Sequence, residues 1–149
     1  MNEAERAFLE RNHAAAMITL RPDGAPHAVR VGVALVDGRL WSSGTQRRAR
    51  TKHLRRDPRA ALFVFDPSGG AAWAWLALEA KVTILDGPDA PEKNVRLFQA
   101  MQAGMPRQPA PGHLFWERQE RTVDAFLRIM EEEQRLIYEF EVLRTYGMH

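Results

Sequence analysis

Two of the three Asp-Gly pairs, those set between apolar runs, constrain this chain more than any other feature. An Asp-Gly step supplies the positive-φ positions that a tight hairpin turn requires. The first lies in Arg21–Ala25, between an apolar run Ala16–Leu20 and a longer one, Pro26–Val36. The second, Asp37-Gly38, leads into Arg39–Ser43. Val29, Val31, Val33 and Leu35 recur at the two-residue period that puts them on one face of a strand. Three strands joined by two tight turns predict an antiparallel meander.

The rest of the chain reads as further strands broken by helices. Glu3–His13 has the spacing of a short amphipathic helix. Gly44 ends the third strand, and Thr45 is the expected N-cap of a helix through about Arg55, stopped by Asp57-Pro58. Arg59–Asp66 is a continuous apolar run and so a buried strand; Pro67–Gly70 is a turn. Ala72–Leu85 is the next strand, with Trp73 and Trp75 on one side of it. Ala90–Ala103 reads as a helix, Gly104–Gly112 as a loop, Leu114–Glu133 as a second helix, and Arg135–Tyr146 as a closing strand. Six strands with turn-rich spacing predict a barrel, and the inserted helices make the class α+β, mainly β. One domain over 1–149, with a helical insertion at about 90–133, is expected from this length.

Several function classes are excluded or disfavoured. There is no cysteine, so disulfides, thiolate metal centres and a cysteine nucleophile are absent. His13, His27, His53, His113 and His149 form no His-x-His or His-Glu-x-x-His pattern, and no metal site is expected. No Gly-x-Ser-x-Gly, Walker or Gly-x-Gly-x-x-Gly motif is present. No apolar run approaches the ~20 residues of a membrane helix, and Met1–Glu5 is acidic rather than a basic leader, which points to a cytoplasmic protein. If the chain is an enzyme, a cofactor carries the hard chemistry, and no catalytic side chain is assigned.

The charge is uneven. Arg47–Arg59 holds seven basic residues and one acid, a local charge of +6, so with a net charge of +2 the remainder carries −4. Such a patch is either a solvated helix face or the seat of a discrete anionic partner. It is short and has no second basic surface to match, which argues against nucleic acid. It begins where Ser42, Ser43 and Thr45 lead from a strand end into a helix start. Helix N-termini, hydroxyls and guanidinium forks together bind phosphate. Arg48 and Lys52 share a face at i and i+4, with Arg50 to one side.

The strings Leu20–His27, Val29–Val31, Asp37–Ser43 and Arg48–Arg59, above all Leu54-Arg55-Arg56-Asp57-Pro58-Arg59, resemble the pyridoxamine 5′-phosphate oxidase-like split β-barrel superfamily. More narrowly, they resemble its flavin/deazaflavin oxidoreductases that use coenzyme F420. The resemblance covers about Ala16 to Asp86. It implies a six-stranded antiparallel Greek-key split barrel, a homodimer, and cofactor sites in grooves at the dimer interface. By position it implies that Val29, Arg30 and Val31 run past the cofactor ring. It implies that Ser42, Ser43, Arg48, Arg50 and Lys52 hold the phosphate, and that Trp75 stands where related flavin enzymes have a glutamine. His53 replaces the common asparagine, and the basic residues at Arg50 and Lys52 are exchanged relative to the usual pattern.

The resulting expectation is an F420-dependent oxidoreductase passing hydride between the reduced cofactor and an unsaturated small organic substrate. Arg47, Arg55 and Arg56 would meet the anionic tail of F420. The alternatives are an FMN-binding oxidoreductase of the same barrel and a non-catalytic flavin- or haem-binding protein. Apart from the resemblance, Val29, Val31 and Trp41 read as core, and Trp73 and Trp75 as dimer packing.

Overall fold

The computed structural model describes all 149 residues, Met1–His149. In chain order the elements are α1 (Glu3–Arg11), β1 (Ala14–Leu20), β2 (Pro26–Val36), β3 (Arg39–Thr45), α2 (Ala49–Arg56), β4 (Arg59–Phe65), β5 (Trp75–Leu85), α3 (Ala90–Gln102), β6 (His113–Trp116), β7 (Gln119–Thr122), α4 (Val123–Glu132) and β8 (Arg135–Met148). Six antiparallel strands close into a barrel in the order β1-β2-β3-β8-β5-β4, with β4 returning to pair with β1. The expected meander is present as β1–β2–β3. Gly24 and Gly38 hold φ of 86° and 76° in its two turns.

The alternation of apolar residues fills the barrel. Met17, Val31, Val33, Leu40, Leu62, Val64, Leu76, Leu78, Leu136, Tyr138 and Phe140 belong to one buried cluster with Phe8 and Leu9 of α1. Helix α1 is fixed by reciprocal bonds between Asn2 and Glu5. The Glu5 carboxylate also accepts from the Thr145 hydroxyl of β8 at 2.6 Å. A second cluster lies outside the barrel wall, where Leu97 of α3 packs on Ala34, Val36, Trp41 and Ile137. A third, built on Leu114, Phe126 and Met130, joins α3 to α4 and β6.

Three expected boundaries differ. Thr45 does not cap α2; it ends β3 paired with Arg135 of β8, and the helix starts at Ala49. The barrel ladder outcompetes the local capping preference. Strand β5 starts at Trp75, because a turn closed by the Ala74 amide on the Ala71 carbonyl runs on past the glycines. Trp73 therefore sits before the strand, 64% exposed, and does not share a strand face with Trp75. Lastly, Leu114–Glu133 is not one helix. Its first part is the β6–β7 hairpin, and α4 begins only at Val123. The hairpin turns through Glu117 and Arg118 at φ of 50° and 64°, without the glycine or asparagine that would have signalled it. Packing of Trp116 against Phe98 and Phe126 holds the hairpin in place. The segment at 90–133 thus holds two helices with a hairpin between them.

Candidate functional site

The β3–α2 junction gathers most of the sequence-predicted residues, but it uses them unequally. Ser42 points into the barrel and donates to the Gly32 carbonyl at 2.7 Å. Ser43 points the other way, to Asn94 of α3, donating to its Oδ1 at 2.5 Å. Both hydroxyls are engaged inside the chain. Asn94 is fully buried and also donates to the Ala90 carbonyl, so α3 is pinned onto this face of β3.

The basic residues divide into paired and free. Arg55 donates to Asp86 at 2.9 Å and to Gln46 at 2.7 Å. The Arg55 bond, with one from Gln46, holds the Asp86 carboxyl below its usual range. Arg56 donates to the Leu20 carbonyl. Arg47, Arg48 and Lys52 are exposed, with no hydrogen bond or ion pair. Arg50 is half-buried. Its guanidinium carbon lies 5.7 Å from the centre of the Tyr138 ring, and one Nη reaches the Ser43 carbonyl at 3.3 Å. Its Nε is buried and unpartnered. Burial lowers the Arg50 pKa; Tyr138 offsets part of this, and the nearby cations Arg48 and Arg135 add to it. Arg135 stacks on Trp116 at 5.0 Å and pairs with Glu133. A half-buried cation with an orphaned donor among like charges is a cradle for an anion.

Tyr138 forms the floor of this cradle, and sequence reading gave it no role beyond the strand face. The Thr51 hydroxyl donates to the Thr45 carbonyl at 2.6 Å. With its one proton spent there, Thr51 accepts from the Tyr138 hydroxyl. Burial raises the Tyr138 pKa, so the phenol stays protonated. A Cβ on Gly44 would fall on the Tyr138 ring, so only glycine admits the phenol there.

Val29 and Val31 face the barrel interior with the core, while Arg30 is exposed on the outside. Arg30 and Val31 line an open cleft of about 840 Å³ together with Arg11, His13, Asp66 and Met105. Trp75 is on the outer barrel face, stacked on Phe63 at 5.2 Å and edge-on to Tyr146 at 6.3 Å. The structure therefore brings Arg48 and Arg50 together with Arg135, and leaves Arg30 and Trp75 on other surfaces.

Beneath α2 is a pair of histidines not singled out from sequence as a pair. His53 and His27 meet edge to face at 5.0 Å, and His53 Nδ1 bonds the Thr19 hydroxyl at 2.9 Å. Their separation in sequence hid this contact.

The model of one family, pyridoxamine 5′-phosphate oxidase, matches residues 1–123. The chain belongs to this family. The match covers β1–β5 and α3, which carry the β3–α2 cradle, and stops at the start of α4. No curated protein sequence matches the chain. Solved structures share the family fold at low identity. A conserved hypothetical protein from Mycobacterium tuberculosis is 20% identical with a TM-score of 0.72, over 99% of this chain and 84% of that one. An F420 reductase is 18% identical with a TM-score of 0.66, over 98% of both. A haem-binding protein from Mycobacterium smegmatis is 17% identical with a TM-score of 0.63, over 99% of this chain and 54% of that one. No helix is long and apolar enough to cross a membrane.

Proposed function

We propose that this family member is a cytoplasmic F420-dependent oxidoreductase acting on an unsaturated small organic substrate. One observation carries the reading: the half-buried Arg50, its Nε buried and unpartnered, beside the free Arg48 and the Glu133-paired Arg135 at the strand-to-helix junction. Arg50 and Arg48 would hold the cofactor's phosphate, with Lys52 one helical turn from Arg48. The ring would run past Arg30 and the backbone of Val29 and Val31, whose side chains face the core. The cofactor supplies the hydride chemistry when bound; these side chains bind and orient it. The name of the F420 reductase neighbour supports this choice among cofactors.

A second reading, FMN in the same cradle, is favoured by a specific observation. Arg55 and Arg56, expected under a polyanionic tail, are committed to Asp86, Gln46 and the Leu20 carbonyl. Arg47 is the one of the three with no partner. Titrating the purified protein with F420, FMN and haem separates the readings. Saturable binding of F420 in preference to the others supports the first, and FMN or haem binding without F420 binding overturns it.

The assembly proposed is a homodimer. Phe63, Tyr146 and Met148 are 39%, 51% and 55% exposed around Trp75, on the outer faces of β4, β5 and β8. Leu143, the residue skipped by the β5–β8 bulge, is 65% exposed on the same strand. Exposed aromatic clusters of this kind are covered by partners.

A further inference from the structure

The cleft at the end of α1 contains an imidazole that the cofactor cradle does not use. His13 is tied twice to β2: its carbonyl accepts from the Val33 amide at 2.8 Å, and its ring Nδ1 bonds the Val33 carbonyl at 3.0 Å. A carbonyl only accepts, so Nδ1 carries the proton and Nε2 is left with its lone pair. Burial holds the His13 pKa below the ordinary histidine value, which keeps the ring neutral at pH 7. Nε2 has no partner in the chain and is not fully buried, and the residue that carries it lines the cleft.

The charge around it is net positive, two guanidiniums against one carboxylate. Arg11 and Arg30 both line the cleft, and neither makes a hydrogen bond or an ion pair. The one carboxylate there, Asp66, is spent on its own loop: it accepts from the Ser68 amide at 2.8 Å, the Ser68 hydroxyl at 2.6 Å and the Ala71 amide at 3.3 Å. The cleft shares Arg11, Asn12 and Asp66 with an adjoining hollow of about 460 Å³, whose wall includes the exposed indole of Trp73. Two free guanidiniums, a fixed acceptor nitrogen and an uncovered aromatic face call for one ligand chemistry.

We propose that this cleft seats an aromatic carboxylic acid bearing a hydroxyl. The carboxylate lies between Arg11 and Arg30, and the hydroxyl donates to His13 Nε2. The proposal deepens the oxidoreductase reading, since Arg30 also borders the expected ring position and the acid would be that enzyme's substrate class.

The test needs no cofactor, so its failure leaves the cofactor reading standing. Calorimetry with 3- and 4-hydroxybenzoate, benzoate and 4-hydroxybenzamide supplies the arms. At least one hydroxybenzoate should bind about two- to ten-fold tighter than benzoate, the worth of one neutral hydrogen bond. The neutral amide should bind more weakly than the hydroxybenzoate. Arg11→Gln and Arg30→Gln should each weaken hydroxybenzoate about two- to five-fold, an effect that shrinks with salt. His13→Asn keeps a donor toward the Val33 carbonyl and removes the Nε2 acceptor; it should abolish the preference for hydroxybenzoate while leaving benzoate affinity unchanged. Nitrogen-15 spectra of the native protein give a readout independent of folding of the variant: the Nε2 resonance of His13 should shift on hydroxybenzoate binding and not with benzoate. No binding of any acid, an equal affinity for benzoate, or an unmoved Nε2 resonance would overturn the proposal.

Discussion

Replacing Arg50 by alanine separates a ligand cradle from ordinary surface charge. In the free protein the side chain contributes little. Its contact over the Tyr138 ring is worth ~0.5–1 kcal/mol, and the bond to the Ser43 carbonyl is long at 3.3 Å. Against these stand the burial of a cation and its repulsion from Arg48 and Arg135. The terms oppose one another, so the unliganded stability should change by no more than about 1 kcal/mol. For a domain of this size that is ~2–4 °C in melting temperature. Binding is different: a charged hydrogen bond to phosphate contributes ~1.5–3 kcal/mol, so Kd should rise about ten- to 150-fold. Fluorescence titration with F420 and FMN measures the affinity, and scanning calorimetry without ligand measures the stability. Arg50→Lys should recover part of the affinity, because it restores the charge without the fork. A folded Arg50→Ala protein with native affinity for both cofactors would refute the phosphate assignment. A large loss of unliganded stability would show that Arg50 is a structural residue.

The remaining expectations concern neighbouring features. Gly44→Ala should destabilise the fold by about 1–3 kcal/mol or more in urea denaturation, since its Cβ meets the Tyr138 ring in a closed barrel. Burial first, and then the charges of His27, Arg56 and Arg21, hold the His53 pKa below its ordinary value. The unfolded chain therefore binds more protons than the native one below about pH 6.5. Stability that is complete above that value should fall as the pH drops toward the native pKa, and melting scans from pH 8 to 5 with His53→Asn as control will show it. Arg47→Ala should lower F420 affinity by ~0.2–1 kcal/mol, an effect lost with a tail-less cofactor or in 1 M salt. Arg55→Ala, whose partner is Asp86, should not discriminate between tailed and tail-less forms. Light scattering should give a dimer, and Trp75→Ser should shift it toward monomer.

The sequence by itself determined the barrel's first half. The Asp-Gly turns fix the β1–β2–β3 meander because their backbone preference is local, and alternating valines fix which face is inside. The basic run at Arg47–Arg59 was likewise visible as charge. What the run does depends on distant partners. Asp86 takes up Arg55, the Leu20 carbonyl takes up Arg56, and Tyr138 of the last strand forms the floor under Arg50. Thr45 shows the same limit, because a capping preference gave way to pairing with Arg135 across the barrel. The β6–β7 hairpin was illegible because Glu117 and Arg118 lack turn chemistry, and only the packing of Trp116 between α3 and α4 selects it. Ser43 and His13 differ in the same way. Each has a side chain whose chemistry is plain in the sequence, but only closure of the barrel and docking of α3 decide that the Ser43 hydroxyl is consumed by Asn94 and that the imidazole nitrogen of His13 is left open.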